Sequence, residues 1–229
     1  MEDVFDVSNS IVFYVEDLVI YLLTILIFLS ASFCIRAKYI KSVNQLLIFK
    51  PLTLILIIFI ALIFPAVELK YKIFIVLGLF SSFLGDIFLI YPKQHFTKGL
   101  IAFLIGHICY IIAFTIPSEI HFTYWIFSPI LIAGIFYLRS ILPYSGKIKI
   151  PIIIYVNIIV IMGWLAIERV ISYPTIGAFF AAVGAILFMI SDATLALNKF
   201  RKPFNSAEKI ILSTYFTAQW LLALSVILA

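Results

Sequence analysis

Charge is what this 229-residue chain has least of. Only 12% of its residues are Asp, Glu, Lys or Arg, and 65% are hydrophobic. A soluble domain is nearer half apolar and a quarter charged. So few charges cannot cover a soluble protein of this length, which excludes a soluble globular enzyme, a disordered chain and a nucleic-acid binder. Cysteine is also scarce. Cys34 and Cys109 both fall in apolar runs, and the chain has no CxxC or Cys/His metal pattern. Histidine is limited to His95, His107 and His121, too few to converge as a zinc site. The N-terminus is acidic, with Glu2, Asp3 and Asp6, where a secretory signal would be basic. The first apolar run therefore reads as a retained helix.

What is present is a succession of long apolar runs, near residues 15–35, 45–64, 72–91, 98–116, 122–138, 149–167, 174–197 and 209–228. A membrane helix needs about 20 apolar residues. The pattern predicts an all-α, polytopic protein with eight transmembrane helices, forming a single integral membrane domain over 1–229 with short loops. Lys and Arg are divided unequally. Twelve fall in the loops after the odd-numbered runs, among them Arg36, Lys38, Lys98, Arg139 and Lys199, and three fall on the other side: Lys70, Lys72 and Arg169. By the positive-inside rule both termini face away from the cytoplasm.

Three charges lie inside spans: Lys50, Asp86 and Asp192. Each costs about 2.5–3.5 kcal/mol at a helix centre. Counting from the span ends puts all three roughly 7–8 Å below the cytoplasmic boundary. Other polar groups share that half of the bundle. His107 is near the middle of the fourth span, Tyr155 and Asn157 are early in the sixth, and Tyr215 and Gln219 share a face of the eighth. A structural account is available for each alone: Lys50 snorkels, Asp86 is its ion-pair partner, the tyrosines are belt residues, and His107 is a satisfied interior histidine. Two carboxyls and one lysine at one depth point instead to a functional cavity. One lysine neutralises one carboxylate, so a dry site holds the second as the acid, an arrangement suited to general acid–base catalysis. The segments Gly85-Asp86-x-x-Leu89 and Ser191-Asp192-x-x-Leu195 echo each other, which suggests two four-helix halves related by an axis along the membrane normal.

At these residues the chain resembles the YhhN-like lysoplasmalogenase family. The resembling pieces are Lys50-Pro51-Leu52-Thr53, Leu84-Gly85-Asp86-Ile87-Phe88-Leu89, Gly99 to Phe103 with His107 and Tyr110, Gly184 to Phe188 with Ser191-Asp192, and Tyr215 to Gln219. Together they cover residues 45–220. The resemblance implies eight helices, no required cofactor and no metal. It also implies hydrolysis of the vinyl-ether bond of a lysophospholipid, lysoplasmalogen, to a fatty aldehyde and glycerophosphoethanolamine or glycerophosphocholine. On this reading Asp86 and Asp192 are the catalytic acid and base, in either order. Lys50, His107, Tyr155, Asn157, Tyr215 and Gln219 bind the substrate, Lys50 by holding its phosphate or by tuning the acids. The expected setting is a bacterial inner membrane, among membrane lipids, with the site opening toward the cytoplasm.

Intramembrane Asp, Lys and His also fit a proton-coupled transporter of a small or lipid-like solute. An aspartyl intramembrane protease is disfavoured, because Phe83-Leu84-Gly85 precedes Asp86 where that class has Gly-x-Gly, and no Tyr-Asp occurs.

Overall fold

The computed structural model describes residues 2–116 and 123–228, with side chains from residue 15 onward except 92 and 93. Each apolar run forms one helix: α1 Glu2–Tyr39, α2 Val43–Ile63, α3 Leu69–Ile90, α4 Pro92–Phe114, α5 Tyr124–Ile141, α6 Lys149–Ser172, α7 Ile176–Ala196 and α8 Ala207–Leu224. Among the described residues there is no strand. His121 lies outside them. His95, expected in a loop, is in the first turns of α4, where its backbone departs from helical geometry at φ −123°.

Local chemistry sets the helix starts. Ser42 accepts from the backbone N–H of Gln45 at the head of α2, and Thr175 accepts from that of Ala178 at the head of α7. Such caps satisfy amides that the first turn leaves open, for about 1 kcal/mol each. The turn from α1 to α2 is tight, with Lys41 at φ +56°.

Among the described residues seven helices are long and apolar enough to cross a membrane, where eight spans are expected. The exception is α8, which carries Glu208, Lys209, Ser213, Thr214, Thr217 and Gln219 within 18 residues. The packing accounts for this composition. α8 contacts α1, α2, α3 and α7, and most of its side chains are buried. A helix enclosed by protein finds polar partners there and need not be apolar all round. It also returns along the whole of α7, because the Gly177 N–H at the start of α7 donates to the Leu228 carbonyl just past the end of α8, at 2.9 Å. α5 is the opposite case. It packs mainly on α6, and of its described side chains only Ile141 is buried.

Close helix approach depends on small residues, as expected where lipid supplies no hydrophobic drive between helices. A Cβ on Gly78 would stand 2.3 Å from the Tyr110 ring, and one on Gly85 would stand 2.7 Å from Phe103. These two glycines bring α4 against α3, Gly85 directly beside Asp86 and Gly78 about two turns before it.

The end of the bundle bearing most of the Lys and Arg is tied by long-range polar contacts. Tyr39 donates to the Asn205 carbonyl at 2.9 Å, Lys38 pairs with Glu208 at 3.5 Å, and Arg201 donates to Ser140 at 2.9 Å. At the opposite end Arg169 donates to the Ile116 carbonyl and lies 4.3 Å over the Tyr71 ring. Nearby, Glu168 accepts from Thr123 and from Trp164.

Candidate active site

Lys50, from α2, is buried one residue before Pro51. It does not snorkel to a boundary. Its Nζ lies 2.8 Å from Asp86 Oδ1, with the two side chains only 7% and 2% exposed. The other carboxylate oxygen, Oδ2, accepts from Tyr215 Oη of α8 at 2.9 Å. α2, α3 and α8 thus meet at one charged group. One turn before Asp86 on α3, Ser82 is fully buried. One turn after Tyr215, Gln219 accepts from Tyr110 at 2.6 Å.

Asp192 is held differently. Its Oδ2 accepts from Tyr155 Oη of α6 at 2.6 Å and faces His107 Nε2 of α4 at 3.5 Å. Among the described residues no lysine or arginine pairs with it. Phe188, one turn before Asp192 on α7, fills the space between the two carboxyls' supports. Its ring centroid is 4.6 Å from that of His107 and 5.4 Å from that of Tyr215.

Two cavities meet at these residues. A polar one of about 290 Å³ opens at the basic end and is lined by Lys50, Asp86, Asp192, Ser191 and Tyr215, with Lys38, Asn198, Lys199 and Glu208 at its rim. An apolar one of about 590 Å³ lies among α4, α5, α6 and α7. Asp192, Leu89, Phe96, Phe103 and Leu195 line both. Tyr155 and Tyr137 also line the apolar chamber, and Tyr137 donates to the Ala193 carbonyl at 2.7 Å, which ties α5 to α7. On α6 the chamber wall runs from Ile152 past Tyr155 to Ile167. The twelve residues beyond Tyr155 give a depth of about 18 Å.

The structure therefore gathers Lys50 and Tyr215 around Asp86, with Gln219 one turn beyond Tyr215, and His107 and Tyr155 around Asp192, with the Phe188 ring in contact with both groups. It does not bring in Asn157, which is exposed on the outer face of α6 and donates to the Ile153 carbonyl of its own helix at 2.8 Å. Residues two apart on a helix point about 200° from each other, so with Tyr155 facing the cluster Asn157 must face out. The sequence reading did not select Lys38, Asn198, Lys199 and Glu208 as site residues. Lys38, Lys199 and Glu208 count as loop charge, Asn198 is a neutral loop residue, and nothing in the sequence marks any of the four as cavity residues. No group of three or more His, Cys, Asp or Glu fit to hold a metal exists among the described residues.

These features define a multipass integral membrane protein whose buried charges open on both a polar and an apolar cavity. The chain belongs to the YhhN family, whose model it matches over residues 45–226. It is 30% identical over 200 residues to the membrane protein YhhN of Escherichia coli O157:H7, covering 87% of this chain and 96% of that one. It is 35% identical over 160 residues to a human protein named lysoplasmalogenase TMEM86A, covering 67% of this chain and 65% of the other. Human lysoplasmalogenase TMEM86B is 31% identical over 157 residues, covering 65% of this chain and 61% of the other. No solved structure matches the chain.

Proposed function

We propose that the protein hydrolyses the vinyl-ether bond of lysoplasmalogens, releasing a fatty aldehyde and glycerophosphoethanolamine or glycerophosphocholine. One observation carries the reading: a carboxyl group, Asp192, lies where an apolar chamber of about 590 Å³ joins a polar cavity of about 290 Å³ that also contains Asp86. A lysolipid has that shape. Its chain fits the chamber, its head the polar cavity, and its ether bond the junction. The relatives named lysoplasmalogenase support the same chemistry.

Each acid takes a role from its partners. Asp86 is paired with Lys50 at 2.8 Å, so it is the carboxylate. Among the described residues Asp192 has no lysine or arginine partner, and it carries the proton. Asp192 protonates the alkenyl carbon β to the ether oxygen, leaving an oxocarbenium ion. Water adds to that ion as Asp86 takes its proton, giving a hemiacetal. Asp86 then returns the proton to the departing glycerol oxygen while Asp192 takes the hemiacetal hydroxyl proton. The products are aldehyde and alcohol, and both acids recover their starting states. The Tyr155 and Tyr215 hydroxyls orient the carboxyls through their hydrogen bonds. His107 packs beside Asp192, and Gln219 fixes the Tyr110 and Tyr215 side of the pocket.

In this account α8 crosses the membrane with the other seven helices. The basic end faces the cytoplasm by the positive-inside rule, the setting is the bacterial inner membrane, and a head group enters from that side. Asp86→Asn and Asp192→Asn each abolish aldehyde release while the purified protein stays folded. Near-wild-type turnover in either variant overturns the acid–base pair.

A further inference from the structure

The rim of the polar cavity is built from three parts of the chain that the chemistry above does not use. Lys38 closes α1, Glu208 opens α8, and Asn198 and Lys199 belong to a π-helical turn, Leu197–Arg201, that ends α7. π-turns are rare overall but frequent at functional sites. Here the wider turn carries Lys199 over the cavity, with its Nζ 4.2 Å above the centroid of the Phe96 ring. Phe96 lines both cavities.

Among the described residues Lys199 forms no ion pair. Asn198 accepts from the Phe204 N–H at 3.2 Å through Oδ1, which leaves its NH₂ group for another acceptor. Lys38 and Glu208 pair at 3.5 Å with side chains 23% and 36% exposed, loosely enough to exchange partners. Lys50 is less available to a ligand, because Asp86 already holds its ammonium at 2.8 Å. The rim thus offers two cations and an amide donor beside one carboxylate. Seven residues, about two helical turns, separate Lys199 from Asp192.

We infer that this rim is a head-group subsite for a zwitterionic phosphodiester. Lys199, Lys38 and the Asn198 amide hold the phosphate oxygens, and Glu208 holds the ammonium. The assignment rests on the lysolipid reading of the two cavities, and it moves phosphate recognition away from Lys50. A lipid head is favoured over a free anion because the rim opens through Asp192 and Phe103 into the apolar chamber.

The test measures binding to the purified full chain in detergent, using alkyl-ether lysolipids that lack the vinyl group and are not turned over. The probes are 1-alkyl-glycerophosphoethanolamine, 1-alkyl-glycerol 3-phosphate, 1-alkylglycerol and inorganic phosphate. Lys199→Gln weakens the two phosphorylated lipids about tenfold, the scale of one hydrogen bond to a charged group, and leaves 1-alkylglycerol unchanged. Lys199→Arg restores binding. Glu208→Gln weakens the ethanolamine ligand relative to the plain phosphate ligand. Equal changes for all three lipids, or none, overturn the subsite, and so does inorganic phosphate competing as strongly as the lipids. Because binding is read without turnover, the two claims fail separately. Absent aldehyde release with the binding pattern intact overturns the hydrolase alone, and turnover with a flat binding pattern overturns the subsite alone.

Discussion

Replacing Lys50 with methionine is the sharpest perturbation of the buried charges. The side chains are similar in length, so packing is largely kept. What is lost is the 2.8 Å contact to Asp86, in a place where Asp86 is 1% exposed and Lys50 5% exposed. Among the described residues Asp86 then keeps only Tyr215 as a hydrogen-bonding side chain. Breaking a buried pair from one side costs about 3–5 kcal/mol, because an uncompensated charge remains. Replacing both partners removes that charge. Lys50→Met should therefore lower stability by roughly that amount, and Lys50→Met/Asp86→Leu should recover most of the loss. Denaturation of the purified protein in detergent measures both. Aldehyde release should be absent from the double variant despite its recovered stability, since the carboxylate is gone. A single variant as stable as wild type, or a double variant no better than the single, would refute the reasoning that this pair is a desolvated, mutually dependent unit.

Two further outcomes follow from distances in the site. Tyr155→Phe removes the 2.6 Å hydrogen bond to Asp192 and leaves the ring that packs on His107 at 5.4 Å. Turnover should fall about tenfold or more, with a stability loss of about 1–2 kcal/mol from the carboxyl left short of a donor, and steady-state kinetics at saturating substrate beside a denaturation curve reads both. Ile167→Trp fills the far end of the apolar chamber. A carbon chain advancing about 1.25 Å per bond along its zigzag reaches 18 Å at about fourteen carbons. The variant should lose activity on chains of that length or more and keep it on shorter ones, as a chain-length series would show.

Much of the fold was legible because a membrane imposes it. Runs of about 20 apolar residues became helices, and the breaks at Lys41, Pro65 to Lys70 and Tyr173 to Pro174 fell where the helices end. That Lys50, Asp86 and Asp192 line one cavity was legible for the same reason, since a regular rise per residue puts their three helices' charges at a similar level. Lateral position was harder. Which face of α6 looks inward depends on its neighbours, so Asn157 and Tyr155 read alike although the helix puts them on opposite sides. Once Tyr155 was in the cluster, the two-residue spacing excluded Asn157. By length α8 reads as a span like the others, and nothing in the sequence says that it is enclosed. Its polar composition belongs to a helix buried among α1, α2, α3 and α7, and that burial is a tertiary fact. Lys38 and Lys199 read as loop charges, and Glu208 carries no topology signal, because their convergence needs three separate chain segments and a π-turn that leaves no mark in composition.

The measurement that bears most directly on the central claim is aldehyde release by the purified protein. It is supplied with an alkenyl lysophospholipid beside its acyl and alkyl analogues of equal chain length, without added metal. The account predicts aldehyde from the vinyl ether alone, because only that bond is opened by protonating carbon. No aldehyde from folded protein that binds the substrate, or equal attack on the acyl analogue, would contradict it.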